Sequence, residues 1–155
     1  MYEMLTGDLL FQPRKNEGWS KNDDHLAQIQ ELVGAFHPHF IARSPKKNKY
    51  FSKDGSMKRM PALCHYPLSI VLQMKNQLKK EEATAFAEFL EMSLVPEPEL
   101  RASARKLLSH DWLNRSISKD YKMYPLNNLG TAQNTTNFDK NSIKTKISLK
   151  YHPKD

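Results

Sequence analysis

The sequence predicts an all-α fold with a disordered C-terminal tail, and three observations predict it. Apolar residues recur at helical spacing wherever they recur at all, and no stretch of useful length alternates apolar with polar as a half-buried strand does. The residues after 114 are too polar to pack: positions 116 to 155 hold five Asn and just seven Leu, Ile, Val or Phe. Such a composition buries too little apolar area to offset the entropy of ordering. Positions 1–114 are therefore expected to be one folded part and 115–155 a polar, basic tail, whose seven Lys and three Asp give +4 of the chain's net +7.

The elements follow in order. Asp23 to Phe36 sets Leu26, Ile29, Leu32 or Val33, and Phe36 along one stripe of a helix. Asp23 and Asp24 suit its positive N-terminal end, and Gly34 marks its close. Tyr66 to Gln77 repeats the pattern with Leu68, Val71, Leu72 and Met74, and Pro67 is tolerable in a first turn. Lys80 to Leu94 places Ala83, Phe86, Phe89, Leu90 and Leu94 on one face until Pro96 and Pro98 stop it. Ser103 then caps a short helix through Leu107 and Leu108 toward Trp112. Residues 37–65 read differently. Arg43, Lys46, Lys47, Lys49, Lys53, Lys58 and Arg59 stand against the single acid Asp54, which describes a solvated basic loop between helices.

Composition excludes several chemistries. Cys64 stands alone, so there is no internal disulfide framework, and a small buried filler is its expected role. No apolar run approaches the roughly 18 residues of a membrane span, and the opening residues lack the basic and apolar regions of a signal peptide. The six histidines form no H-E-x-x-H, and His37-x-His39 has no carboxylate or thiol beside it, so no metal site is expected.

The run Tyr2-Glu3-Met4-Leu5-Thr6-Gly7-Asp8-Leu9-Leu10-Phe11 resembles the end of the large central helix of a protein kinase C-lobe and the turn after it. Downstream, in order, stand Asp23-Asp24-His25-Leu26-Ala27, Glu31-Leu32-Val33-Gly34, Tyr50-Phe51, Tyr66-Pro67-Leu68, Phe89-Leu90, Pro98 to Ser103, and His110-Asp111-Trp112-Leu113. The series resembles the SR protein kinase family, Ser/Thr kinases that phosphorylate Arg/Ser-rich splicing factors. The likeness covers about residues 2 to 114 and implies a partial kinase C-lobe, the helices after the activation segment. It also implies a cytoplasmic and nuclear location, Arg/Ser-rich protein substrates, and a separate kinase lobe as a partner.

Phosphoryl transfer needs a Gly-rich loop, a strand Lys, a catalytic-loop Asp and Asn, and a magnesium-holding Asp. The chain has no G-x-G-x-x-G, H-R-D or D-F-G. In kinase order these precede the residues matched to Tyr2, so the resemblance implies an N-terminally truncated fragment. ATP and magnesium then belong to the parent family, and this chain has no catalytic or cofactor-binding residues and is inactive alone. What it keeps by resemblance is substrate docking. Asp8, Asp24 and Glu31 match the family's acidic docking residues, Lys75 a lysine lining the same groove, and Tyr66 an aromatic position where relatives carry Trp. Physically, Asp24 and Glu31 are two helical turns apart, about 10 Å on one face. Carboxylates so placed suit bidentate capture of guanidinium groups, and an aromatic face suits stacking of one.

The departures carry expectations too. Lys79 stands where the family has a helix-capping Ser, Gln12 where it has an acid, and Asp111 where it has Pro. Arg101 matches a structural arginine whose glutamate partner would precede Met1, so it turns to water or destabilises its surroundings; Trp112 is expected to pack the last helix. Two function classes follow: a kinase fragment with a docking groove, or a non-enzymatic module binding arginine-rich peptides or RNA-associated partners. Direct nucleic-acid binding is disfavoured, because only Tyr50 and Phe51 interleave with the basic residues.

Overall fold

The computed structural model describes residues 1–60 and 62–115, and the expected tail lies outside them apart from Arg115. These residues divide into two units, one of residues 1–108 and one that begins at Ser109. In the first run α1 (Tyr2–Thr6), α2 (Lys21–Val33), α3 (Pro38–Arg43), α4 (Lys47–Tyr50), α5 (Leu68–Met74), α6 (Lys80–Leu94) and α7 (Ala104–Leu108); the second holds α8 (Asp111–Arg115). Among the described residues the only strand-like pairing is an isolated bridge between Phe51 and Met57. The chain is all-α over these residues, as its periodicity predicts. Among them, no helix is long and apolar enough to cross a membrane.

α1 ends at Gly7, whose φ of 75° lets its N–H turn back to the Glu3 carbonyl at 2.8 Å, a left-handed cap that favours glycine. α2 starts two residues before the first aspartate because Ser20 and Asp23 cap it reciprocally. The Asp23 N–H donates to Ser20 Oγ, while Asp23 Oδ2 accepts from the Ser20 N–H and hydroxyl. Burial pushes the Asp23 carboxyl up, but those Ser20 bonds and the Arg59 guanidinium, 2.8 Å from Oδ1, more than offset it and hold it below its ordinary value.

Two apolar clusters organise the first unit. In one, Ala27 of α2 packs with Phe36, Tyr50, Phe51 and Met57, and Leu26, Ile29, Phe40, Ile41, Met60 and Leu63 lean on them. Phe36 and Phe51 meet edge to face at 6.0 Å. In the other, Leu68, Val71 and Leu72 of α5 and Ala83, Phe86, Ala87, Phe89 and Leu90 of α6 are buried, and these two helices pack on one another. Lys75 to Lys79 join them, with Gln77 at φ 58° and the Leu78 N–H returning to the Leu72 carbonyl. α6 matches the expected bounds, and Lys79 stands at its N-cap without a side-chain capping bond. Ser103 caps α7 as expected, accepting from the Lys106 N–H at 3.3 Å.

Three readings of the sequence are corrected. Residues 37–65 are no solvated loop. They carry α3, α4 and a turn closed by Gly55 at φ 86°, and Tyr50, Phe51 and Met57 sit at 2–8% exposure while most of the lysines stay outside. Helices of six and four residues are too short to show a 3.6-residue period, so charge dominates the pattern. α5 is shorter than expected, because Pro67 is its N-cap and it closes at Lys75. Cys64 is exposed, since the segment beside it turns inward through Tyr66 instead.

Candidate functional site

Asp8 follows the glycine that closes α1, and Lys75 and Asn76 follow α5. The fold brings them together across 67 and 68 residues of chain. Lys75 Nζ lies 3.3 Å from Asp8 Oδ2, and Asn76 Nδ2 donates to the same oxygen at 3.1 Å. The Asn76 carbonyl oxygen accepts from the Tyr2 hydroxyl at 3.0 Å. Burial, then the Asp8 charge, push the Tyr2 phenol up to about 12, so it stays a donor throughout the physiological range. The Lys75 side chain is 8% exposed and that of Asp8 34%. A carboxylate fixed on one oxygen but open to water is thus set at the edge of the α5 terminus.

α2 presents the other two acids. Asp24 and Glu31, at 6% and 5% exposure, are not the solvent-facing charges common on a surface helix. Asp24 Oδ2 accepts from the Arg14 N–H at 2.8 Å and from Gln28 Nε2 at 2.7 Å. Gln28 Oε1 in turn accepts from the Gln12 N–H at 3.0 Å, so Asp24 and Gln28 strap residues 12–14 onto the helix. The Glu31 carbonyl accepts from the Tyr66 N–H at 2.7 Å, which docks the approach to α5 against the same helix. Tyr66 is 7% exposed, and burial, with Cys64 and the Glu31 charge behind it, pushes its phenol up to about 12. Of the five residues named from the sequence, the fold brings Asp8 and Lys75 into an ion pair, while Tyr66 meets Glu31 through the backbone and Asp24 holds residues 12–14 onto α2.

Sequence reasoning missed Asn76, Tyr2 and Gln28, which hold the acids in place. Asn76 and Gln28 lie on no apolar stripe and in no motif; only their adjacency to Lys75 and their spacing of four from Asp24 marked them. Of the structural pair, Arg101 is exposed and donates from Nε to the Val95 carbonyl at 2.8 Å and from Nη2 to the Pro96 carbonyl at 3.0 Å. It closes the end of α6 instead of burying a charge. In the second unit, Trp112 is 7% exposed and its backbone N–H donates to His110 Nδ1 at 3.2 Å.

No protein-family model matches the chain. Curated relatives do. SRSF protein kinase 3 of Mus musculus is 39% identical over 113 residues, covering 73% of this chain and 20% of that protein. Serine/threonine-protein kinase SRPK of Physarum polycephalum is 41% identical over 114 residues, 73% of this chain and 27% of its own length. Serine/threonine-protein kinase SKY1 of Saccharomyces cerevisiae is 35% identical over 121 residues, 77% of this chain and 16% of its own. The chain thus spans about a fifth of the length of the mouse relative. Its helical fold, the ordered motif series from Tyr2 to Leu113 and this identity over some three quarters of its residues agree: the chain belongs to the SR protein kinase family.

Proposed function

We propose that this chain is a substrate-docking segment of a Ser/Thr protein kinase of the SR type, one that captures arginine-rich peptides for ATP-dependent phosphorylation of their serines. The observation that carries the reading is Asp8. Its carboxylate is clamped at Oδ2 by Lys75 and Asn76 and remains a third exposed, so it meets an incoming guanidinium without first paying to be ordered. Asp24 and Glu31 add two carboxylates seven residues apart on α2, both largely buried, and the Tyr66 N–H bonds the Glu31 carbonyl. Lys75, whose own side chain is 8% exposed, has its charge paired by Asp8.

On this reading ATP and magnesium belong to the lobe that carries the Gly-rich loop, the H-R-D and the D-F-G, none of which is in this sequence. No phosphoryl-transfer step is therefore assigned to these side chains. The reading makes a lobe carrying the ATP site the chain's partner and places the chain where splicing factors are, in nucleus and cytoplasm.

The test is a titration of the full chain with a fluorescent Arg/Ser repeat peptide at low and moderate salt. Binding should weaken with salt, because paired surface charges are screened. It should also weaken several-fold in Asp8→Asn, a substitution that keeps an acceptor for Asn76. No binding at low salt, or equal binding by Asp8→Asn and by an Asp24→Asn, Glu31→Gln double variant, would remove the reading.

A further inference from the structure

The basic segment holds the one Ser-Pro or Thr-Pro dipeptide in the sequence, Ser44-Pro45, followed at once by Lys46 and Lys47. We propose that Ser44 is a phosphorylation site for a proline-directed Ser/Thr kinase, and that its phosphate draws Arg43 away from Glu99.

Accessibility and backbone both suit a peptide read in an extended conformation. Ser44 closes α3 with φ −73° and ψ 125°, already extended, as a residue before proline prefers. Ser44 is half-buried, but its neighbours Ala42, Arg43, Pro45, Lys46, Lys47, Asn48 and Lys49 are all exposed. The following α4 is one turn of four residues with no side-chain cap, so its exposed first three residues can loosen into a kinase cleft at little cost while Tyr50 stays in the core. Pro45 supplies no N–H, which lets a kinase select it with an apolar pocket that would leave any other residue's N–H unsatisfied. Lys47, three residues after the serine, offers a cation for an acidic subsite.

The step balances with ATP as co-reactant. Ser44 Oγ bonds to the γ-phosphorus, the bond from that phosphorus to its bridging oxygen breaks, ADP leaves, and the hydroxyl proton passes to the modifying kinase's base. The product carries about −1.5 to −2 charges at neutral pH. Those charges arise beside backbone donors and a nearby ammonium: the Lys46 N–H donates to Ser44 Oγ at 3.4 Å, the Lys47 N–H to the Ser44 carbonyl, and Lys47 Nζ to the Ala42 carbonyl at 2.9 Å. Arg43 is the adjacent residue and now pairs with Glu99, Nη2 to Oε1 at 3.1 Å, across 56 residues. Both side chains of that pair are well exposed, at 72% and 59%, so the pair holds weakly. A phosphate dianion with three acceptor oxygens competes well for the same guanidinium. Once released, Glu99 no longer tethers to α3 the turn in which Leu100 and Arg101 donate to the Glu97 carbonyl.

The experiment incubates the full chain with ATP and a purified cyclin-dependent kinase, maps the product by mass spectrometry and follows amide exchange over residues 97–101. One phosphate on Ser44 is expected, absent in Ser44→Ala and reduced at least several-fold in Pro45→Ala and Lys47→Ala. Exchange over 97–101 should quicken on phosphorylation. Glu99→Gln should quicken it beforehand and leave no further increment. No incorporation while a free peptide of residues 42–49 is labelled, label on another serine, or equal labelling of Pro45→Ala would overturn the site. Unchanged exchange over 97–101 would overturn the switch. Neither outcome bears on arginine docking, which uses other residues.

Discussion

Replacing Asp24 by Ala separates what this carboxylate does for the fold from what it does for a ligand. The side chain is 6% exposed and accepts two hydrogen bonds, from the Arg14 N–H and from Gln28 Nε2. Losing a charged acceptor strands each donor at a cost of about 1–3 kcal/mol when water cannot reach it. Gln28 is 3% exposed and bears that cost nearly in full, whereas Arg14 is exposed and regains water cheaply. Adding the few tenths of a kcal/mol from an acid in the first turn of α2, the loss comes to about 1.5–3.5 kcal/mol. Urea unfolding followed by far-ultraviolet circular dichroism measures it, and amide exchange at Arg14 localises it. Asp24→Asn keeps one acceptor and should recover roughly half of the loss. A change below about 0.5 kcal/mol, the level of ordinary surface substitutions such as Glu88→Ala, or an Arg14 amide equally protected in Asp24→Ala, would refute the strap.

Three further expectations concern the frame of the site. Phe86, fully buried between α6 and α5, should cost about 3–5 kcal/mol when cut to Ala in the same urea assay. Lys79→Ser supplies the missing cap of α6 and should stabilise the chain by about 1 kcal/mol, read as a higher urea midpoint at unchanged slope. Asp23 has a folded pKa below its ordinary 3.8, so its stabilisation is complete above that value and is lost as pH falls through the folded one. Acid titration of stability should therefore have a shallower limb below about pH 4 in Asp23→Asn than in the parent chain.

What the sequence made legible follows from what sets each element. α6 was readable nearly to the residue because fifteen positions allow several turns of apolar register, and two prolines end it. α2 is readable by its stripe, but the burial of its polar side is not. Asp23, Asp24, Gln28, Gln30 and Glu31 are buried because segments distant in sequence, around Gln12, Arg14, Arg59 and Tyr66, fold over them. No local period encodes that. The basic segment failed for the opposite reason: its lysines dominate the composition while Tyr50, Phe51 and Met57 do the packing. Asp8, Lys75 and Tyr66 rest on the resemblance, and only Asp24 and Glu31 also on their spacing along one helix. The contact of Asp8 with Asn76 depends on closing a loop of 68 residues, which spacing cannot announce.

The central claim is that Asp8, held by Lys75 and Asn76, is the anchor of a site for arginine. Amide chemical-shift mapping of the full chain during titration with an Arg/Ser repeat peptide tests it most directly. The account predicts shifts concentrated at Asp8, Asp24, Glu31, Tyr66, Lys75 and Asn76, diminished in Asp8→Asn. Shifts confined to the basic stretch from Arg43 to Arg59, or none at saturating peptide, would contradict it.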